Sequence, residues 1–111
     1  MYKRIRLFSY FLIFCFITTL NSCRKDEYFI RVRNDYSNAI GISVAGLSIP
    51  HIDPGVNTEY ESVATGSFHI GVLDVSGAGT ATSGNIIVDG EGMNKWTIII
   101  TSGFTIDIHK D

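Results

Sequence analysis

The sequence predicts an all-β fold, a small antiparallel sandwich of about seven strands, set behind a leader that is cut off. Three observations carry this expectation. Short β-branched and aromatic runs recur through residues 28–111, separated by Gly, Asn, Asp and Pro at intervals of about 8 to 12 residues. No stretch places apolar residues at helical spacing behind a capping residue. The longest uninterrupted apolar run lies at the N-terminus, residues 7–20, flanked by cations on one side and a charged cluster on the other.

The strands follow in order. Residues 28–33 (YFIRVR) alternate, with Ile30 and Val32 on one face and Arg31 and Arg33 on the other. A turn-forming stretch, 34–38 (NDYSN), leads into 39–44 (AIGISV), and a short piece, 47–49, precedes Pro50. Asp53-Pro54-Gly55 is a further turn, and 58–63 (TEYESV) alternates again. In 67–73 (SFHIGVL), Phe68, Ile70 and Val72 share a face. Residues 86–88, 96–101 and 104–108 complete the set, with Phe104, Ile106 and Ile108 expected inward and Thr105, Asp107 and His109 outward. Ile98-Ile99-Ile100 is apolar on both faces, as a central strand would be. A closed barrel is the alternative that this pattern leaves open.

The leader decides the address. Residues 1–6 carry Lys3, Arg4 and Arg6 and no acid, and residues 7–20 (LFSYFLIFCFITTL) hold 14 residues without a charge. A basic start, an apolar run of this length and small residues before the break describe a secretory signal peptide. A permanent spanning helix needs about 20 apolar residues, so a signal-anchor is the lesser reading. Leu20-Asn21-Ser22-Cys23 resembles the lipobox of bacterial lipoproteins: an aliphatic residue, two mostly small ones and a cysteine. That resemblance implies cleavage before Cys23, a diacylglycerol on its thiol and acylation, palmitate included, of the new amine. An ordinary free thiol is the plainer alternative. The segment Arg24-Lys25-Asp26-Glu27 resembles the surface-export signal of Bacteroidota lipoproteins, where a lysine and two acids follow the anchor. Otherwise it is a solvated tether. The division expected is a signal peptide over 1–22, a lipidated tether over 23–27 and a domain over 28–111, held at the outer membrane and facing the cell surface.

Processing changes the charge. The whole chain carries 9 Lys and Arg against 11 Asp and Glu; loss of Lys3, Arg4 and Arg6 leaves 6 against 11, a net of −5 over 89 residues. Such a surface is unsuited to nucleic acid, whose phosphates need clustered cations. With Cys15 removed and Cys23 lipidated, no disulfide can form within the processed chain, and the core must hold the fold.

Sites for chemistry are sparse. The glycine-rich stretch 77–84 (GAGTATSG) lacks the Lys-Ser/Thr of a phosphate loop and is expected to be a mobile hairpin loop. Residues 89–94 (DGEGMN) miss the calcium-loop spacing. His51 and Asp53, His69 and His109 would have to converge from separate segments to bind zinc. No Gly-x-Ser-x-Gly elbow occurs, and Glu59 and Glu61 read as a solvated strand face. No catalytic residue, metal or cofactor is therefore expected. Among the rings, Tyr60 and Trp96 lie in strand patterns and are expected in the core, leaving Tyr36, in its turn, as the exposed ring available for binding.

A second resemblance runs over residues 30–108. It comprises Arg31-Val32-Arg33-Asn34, Val44-Ala45-Gly46, Pro54-Gly55 before Thr58 and Tyr60, the strand opening at Gly66 with Phe68 and Ile70, and the late Trp96 strand. Together they are similar to small immunoglobulin- or transthyretin-like lipoprotein domains of Bacteroidota with no known role. The resemblance implies the fold and no active site. The function expected is a non-enzymatic envelope module that binds a protein or glycan or supports an assembly. A small enzyme or hydrolase accessory acting on polysaccharide is the alternative.

Overall fold

The computed structural model describes residues 25–77 and 79–111. The expected leader, Cys23 and Arg24 lie outside these residues. The described residues form eight strands: β1 (Glu27–Asn34), β2 (Ile40–Val44), β3 (Leu47–Ile52), β4 (Glu61–Ser62), β5 (Gly66–Asp74), β6 (Ala81–Val88), β7 (Met93–Ile100) and β8 (Ile106–Lys110). They form two four-stranded sheets, β4-β1-β7-β8 and β3-β2-β5-β6. The chain changes sheet after β1, β3, β4 and β6, so neither sheet is built from one continuous run. The two sheets close on a common core as a β-sandwich of immunoglobulin-like character.

All pairings between strands are antiparallel except one. β1 and β7 lie parallel at the centre of the first sheet, in register from Glu27 opposite Met93 to Asn34 opposite Ile100. A parallel pair needs a long crossover, supplied here by the whole of the second sheet together with β4. β7 is therefore flanked by β1 and β8, which accounts for its apolar triplet: Ile98 and Ile100 are buried in the core, while Ile99 lies half-buried on the outer face.

Among the described residues thirteen apolar side chains are buried, and all but Trp96 are Ile or Val. Branching at Cβ stiffens χ1 and suits a pleated surface, so these residues interlock between the sheets at little entropic cost. Two buried polar residues lock the loops at one end. Asn34, wholly buried, donates from Nδ2 to the carbonyls of Asn38 and Ile52, both at 2.9 Å, and accepts from the Tyr36 N–H at 3.0 Å. Asp74 accepts from the Tyr36 hydroxyl, the Asn38 amide and both the N–H and hydroxyl of Ser76. These bonds, led by those from Ser76 and Asn38, pull its pKa down to about 2.

The structure redraws several boundaries. The fold begins at Glu27, whose N–H bonds the Gly92 carbonyl at 2.8 Å, and Asp26 accepts from the Gly92 N–H at 2.8 Å. Two residues expected in the tether are thus tied to the domain. β4 shrinks to two residues, because the pairing with β1 is irregular over 58–60: Asn57 bridges Arg33 and the Thr58 N–H bonds the Val32 carbonyl at 2.8 Å, but regular pairing resumes only at Glu61 opposite Ile30. β6 starts at Ala81, so half of the expected glycine-rich loop is strand. Its Gly84 lies where Ile106 crosses the core, close enough that an added Cβ would sit 3.3 Å from the Ile106 Cδ1. Phe104 is not an inward strand residue but a turn residue at φ 60°, with its ring 4.6 Å from that of Tyr36.

Candidate functional site

Strand alternation gives the first sheet an outer face that carries Arg31 and Arg33 from β1, Lys95, Thr97 and Ile99 from β7, and Asp107 and His109 from β8. Tyr60 crosses this face from the β4 edge. Its hydroxyl donates to Asp111 Oδ2 at 2.6 Å, and its ring lies 4.8 Å from both the Arg31 guanidinium carbon and the Lys95 ammonium. Stacked cations of this kind stabilise a ring in place by about 0.5–1 kcal/mol each at exposed sites. The expected burial of Tyr60 in the core is therefore corrected. It is a strap on the outside, which is why its strand pattern misleads: the alternation is interrupted by the irregular pairing with β1 between Asn57 and Glu61, and the side chain lies on the outer face.

Beside the strap lies a pocket of about 220 Å³ lined by Arg31, Arg33, Asn57, Thr97, Ile99, His109 and Asp111. A relay of hydrogen bonds fixes one wall. Arg31 Nε donates to Thr97 Oγ1 at 2.9 Å, and that hydroxyl donates to Asp111 Oδ2 at 2.7 Å. His109 Nδ1 meets Asp111 Oδ1 at 3.1 Å. Burial works against ionisation of Asp111, but the bonds from Tyr60, Thr97 and His109 outweigh it and hold its carboxyl below the ordinary value. The Tyr60 hydroxyl is pushed up in turn, first because it donates to that carboxylate.

Arg31 is the unusual member. It is half-buried, yet no carboxylate lies within 4 Å of it among the described residues, and its only hydrogen bond there is the one from Nε to a neutral hydroxyl. Its terminal nitrogens are left to the pocket. Arg33 pairs with Asp35 through Nε at 2.8 Å, which likewise spares its terminal nitrogens. Two guanidiniums on one strand face, two residues apart, thus line one concavity. Planar guanidinium forks match a carboxylate or sulfate geometrically, and they do so without proton exchange.

Comparison with known protein families and with curated proteins finds no match.

The other candidate residues fall elsewhere. Tyr36, expected as an exposed binding ring, is half-buried: its hydroxyl bonds Asp74 at 3.0 Å and its ring packs on Phe104. Trp96 is buried as expected, at 4 % exposure. Lys25, Asp26 and Glu27 are exposed, with the last two held against the β6–β7 turn. His51 and Asp53 form an exposed pair at 2.8 Å, remote from His69 and His109 in the fold. No group of three His, Cys, Asp or Glu could hold a metal among the described residues.

The second sheet presents a different outer face. An open groove of about 620 Å³ runs over Gly41, Gly71, Ser43 and Ser83, between Pro50 on one side and Leu73 and Val75 on the other. Side chains this small leave the backbone at the floor. No Phe, Tyr or Trp lines the groove, and His69 is its one aromatic side chain, so it lacks the broad stacking platform that a sugar favours.

Proposed function

We propose that this chain is a lipid-anchored, non-catalytic recognition module of the bacterial envelope, and that the Arg31–Arg33 pocket takes an acidic group carried by a glycan or a protein partner. One observation carries the reading: a half-buried guanidinium lines this pocket without a direct ion pair among the described residues, the carboxylate of Asp111 acting on it only across the Thr97 hydroxyl. A half-buried cation whose counter-charge stands one hydroxyl away is less well compensated than a directly paired one, and an incoming anion relieves that cost.

The anchor supports the same reading. If the chain is cut before Cys23, only residues 23–25 separate lipid from fold, a reach of about 10 Å. The β6–β7 turn, bound to Asp26 and Glu27, then faces the membrane. Arg33 sits six residues further along β1, about 20 Å away from that end. The pocket is thereby held off the lipid, toward whatever the envelope or medium offers. Two or three acyl chains, at about 0.8 kcal/mol per buried methylene, hold such a module durably.

The test is a calorimetric titration of the processed protein with a hexuronate oligosaccharide, an acidic peptide and a neutral glucose oligosaccharide. Binding of one acidic probe, lost in Arg31→Ala and in Arg33→Ala while both variants keep the wild-type unfolding temperature, supports the proposal. Equal binding of the neutral sugar, or acidic binding that survives both variants, overturns it.

A further inference from the structure

We infer that β6 is the dimerisation edge of this protein: two copies join antiparallel, β6 to β6, into one continuous eight-stranded sheet. The inference stands on the fold alone and is independent of the pocket.

The four edges of the sandwich differ in kind. A sheet edge is a row of unpaired N–H and C=O groups, and proteins that stay single blunt it with shortness, proline, bulges or charge. β4 is only two residues long. β3 contains Pro50, and the β2–β3 pairing is irregular between Ile40 and Ile42. β8 carries Asp107, His109 and Lys110 in five residues. β6 has none of these devices. It is eight residues long, reads ATSGNIIV, and holds no proline and no charge. On a chain with more acids than bases, 11 against 9, an uncharged edge lets two copies meet without bringing like charges together.

The hydrogen-bond phase makes the edge self-complementary. Asp74 N–H bonds the Thr80 carbonyl at 2.8 Å, and the β5–β6 register continues in step from there to Gly66 opposite Val88. In an antiparallel ladder every second residue turns both its groups to one neighbour. Thr82, Gly84, Ile86 and Val88 therefore face β5, and Ala81, Ser83, Asn85 and Ile87 turn their N–H and C=O groups outward. A two-fold axis through Gly84 sets Ala81 opposite Ile87 of the second copy and Ser83 opposite its Asn85. All four donors and four acceptors of each copy are then used. An axis through Asn85 instead leaves the groups of Ala81 without a partner.

The same register explains two exposed apolar side chains. Ile87 is 67 % exposed and Leu73 48 % exposed, both on the outer face of this sheet. Leu73 neighbours Ala81 across β5–β6. Placing Ile87 of one copy over Ala81 of the other therefore brings it against Leu73, at both ends of the two-fold. Gly84, at the axis, is where the two strands approach most closely, and its core side is filled by Ile106. The second copy also doubles the acyl anchors and sets two recognition pockets in one assembly, which raises avidity without new contacts.

The experiment uses the processed protein in detergent, with its mass determined by light scattering after subtraction of detergent, together with cysteine trapping. Wild type is expected at twice the chain mass, and Ile87→Lys and Asn85→Pro at the single mass; both positions face solvent or the open edge, so the β5 ladder and fold survive, as circular dichroism checks. Chains bearing Ser83→Cys mixed with chains bearing Asn85→Cys are expected to cross-link, and neither is expected to do so alone. A wild type of single mass overturns the inference, as does a dimer that persists in both variants. Trapping of Ser83→Cys chains with each other overturns the register.

Discussion

Replacing Asn34 tests how the loops are locked to the core. Asn34→Ala removes two donors and one acceptor at a site with no solvent access, and strands the Asn38 and Ile52 carbonyls and the Tyr36 N–H. At about 1 kcal/mol per net bond, with a further penalty for desolvated groups left unpaired, the loss is about 3–4 kcal/mol. For a domain of this size that lowers Tm by roughly 12 to 30 °C. Small domains hold only about 5–15 kcal/mol in total, so the variant still folds, with little to spare. Asn34→Asp is the sharper case. The introduced carboxylate keeps the Tyr36 contact but faces two carbonyls without a proton to give, so at neutral pH it is worse than alanine. Burial raises the pKa of that carboxyl above its unfolded value of about 3.9, so stability is recovered as pH falls through the folded pKa, above pH 4. Urea unfolding of both variants between pH 8 and 5 reads this out. A loss below about 1 kcal/mol for alanine, or an aspartate variant that matches alanine at every pH, would refute the lock.

Three further outcomes are expected. The Asp74 carboxyl ionises near 2 in the fold against 3.8 ordinarily, so its contribution is complete above pH 4 and is lost as pH falls from 3.8 toward 2; the urea midpoints of wild type and Asp74→Asn should therefore converge on acidification through that window. Ala45 and Gly46 close the β2–β3 hairpin with φ of 51° and 80°, a turn that favours asparagine at the first position; Ala45→Asn should stabilise by about 0.5–1 kcal/mol in thermal unfolding, and a lower Tm would contradict the turn assignment. Cys23→Ser should leave an unprocessed precursor without lipid label, whereas normal processing and labelling would remove the lipoprotein reading.

Much of the fold was legible because strand alternation is a strong local signal. Ile30 with Val32 and Ile70 with Val72 announce their inward faces by spacing two, and the structure buries all four; Ile98-Ile99-Ile100, apolar on both faces, announces a central strand, and β7 lies between β1 and β8. The misses have physical causes. Tyr60 alternates like a core residue, but the cations of Arg31 and Lys95 and the carboxylate of Asp111 hold it on the outside, and these partners are remote in sequence. Tyr36 sits in a turn, a place usually exposed, yet Asp74 and Phe104 draw it into the rim of the core. The strand Ala81–Gly84 hides behind glycine and threonine, whose small size answers Ile106 across the core rather than a turn. The parallel β1–β7 pair leaves no local trace, since the two strands lie at opposite ends of the domain. The pocket was half visible: alternation put Arg31 and Arg33 on one strand face, but Thr97, Asn57 and His109 join them only through the fold.

Recognition of an acidic group at Arg31 and Arg33 is the central claim, and nitrogen-15 NMR of the arginine Nε–Hε groups tests it most directly. On titration with the hexuronate oligosaccharide or the acidic peptide, the account predicts saturable shifts of the Arg31 and Arg33 Nε signals, with Asp35 and Thr97 retaining their bonds to them. Those two signals standing still while the probe binds elsewhere on the domain would contradict it.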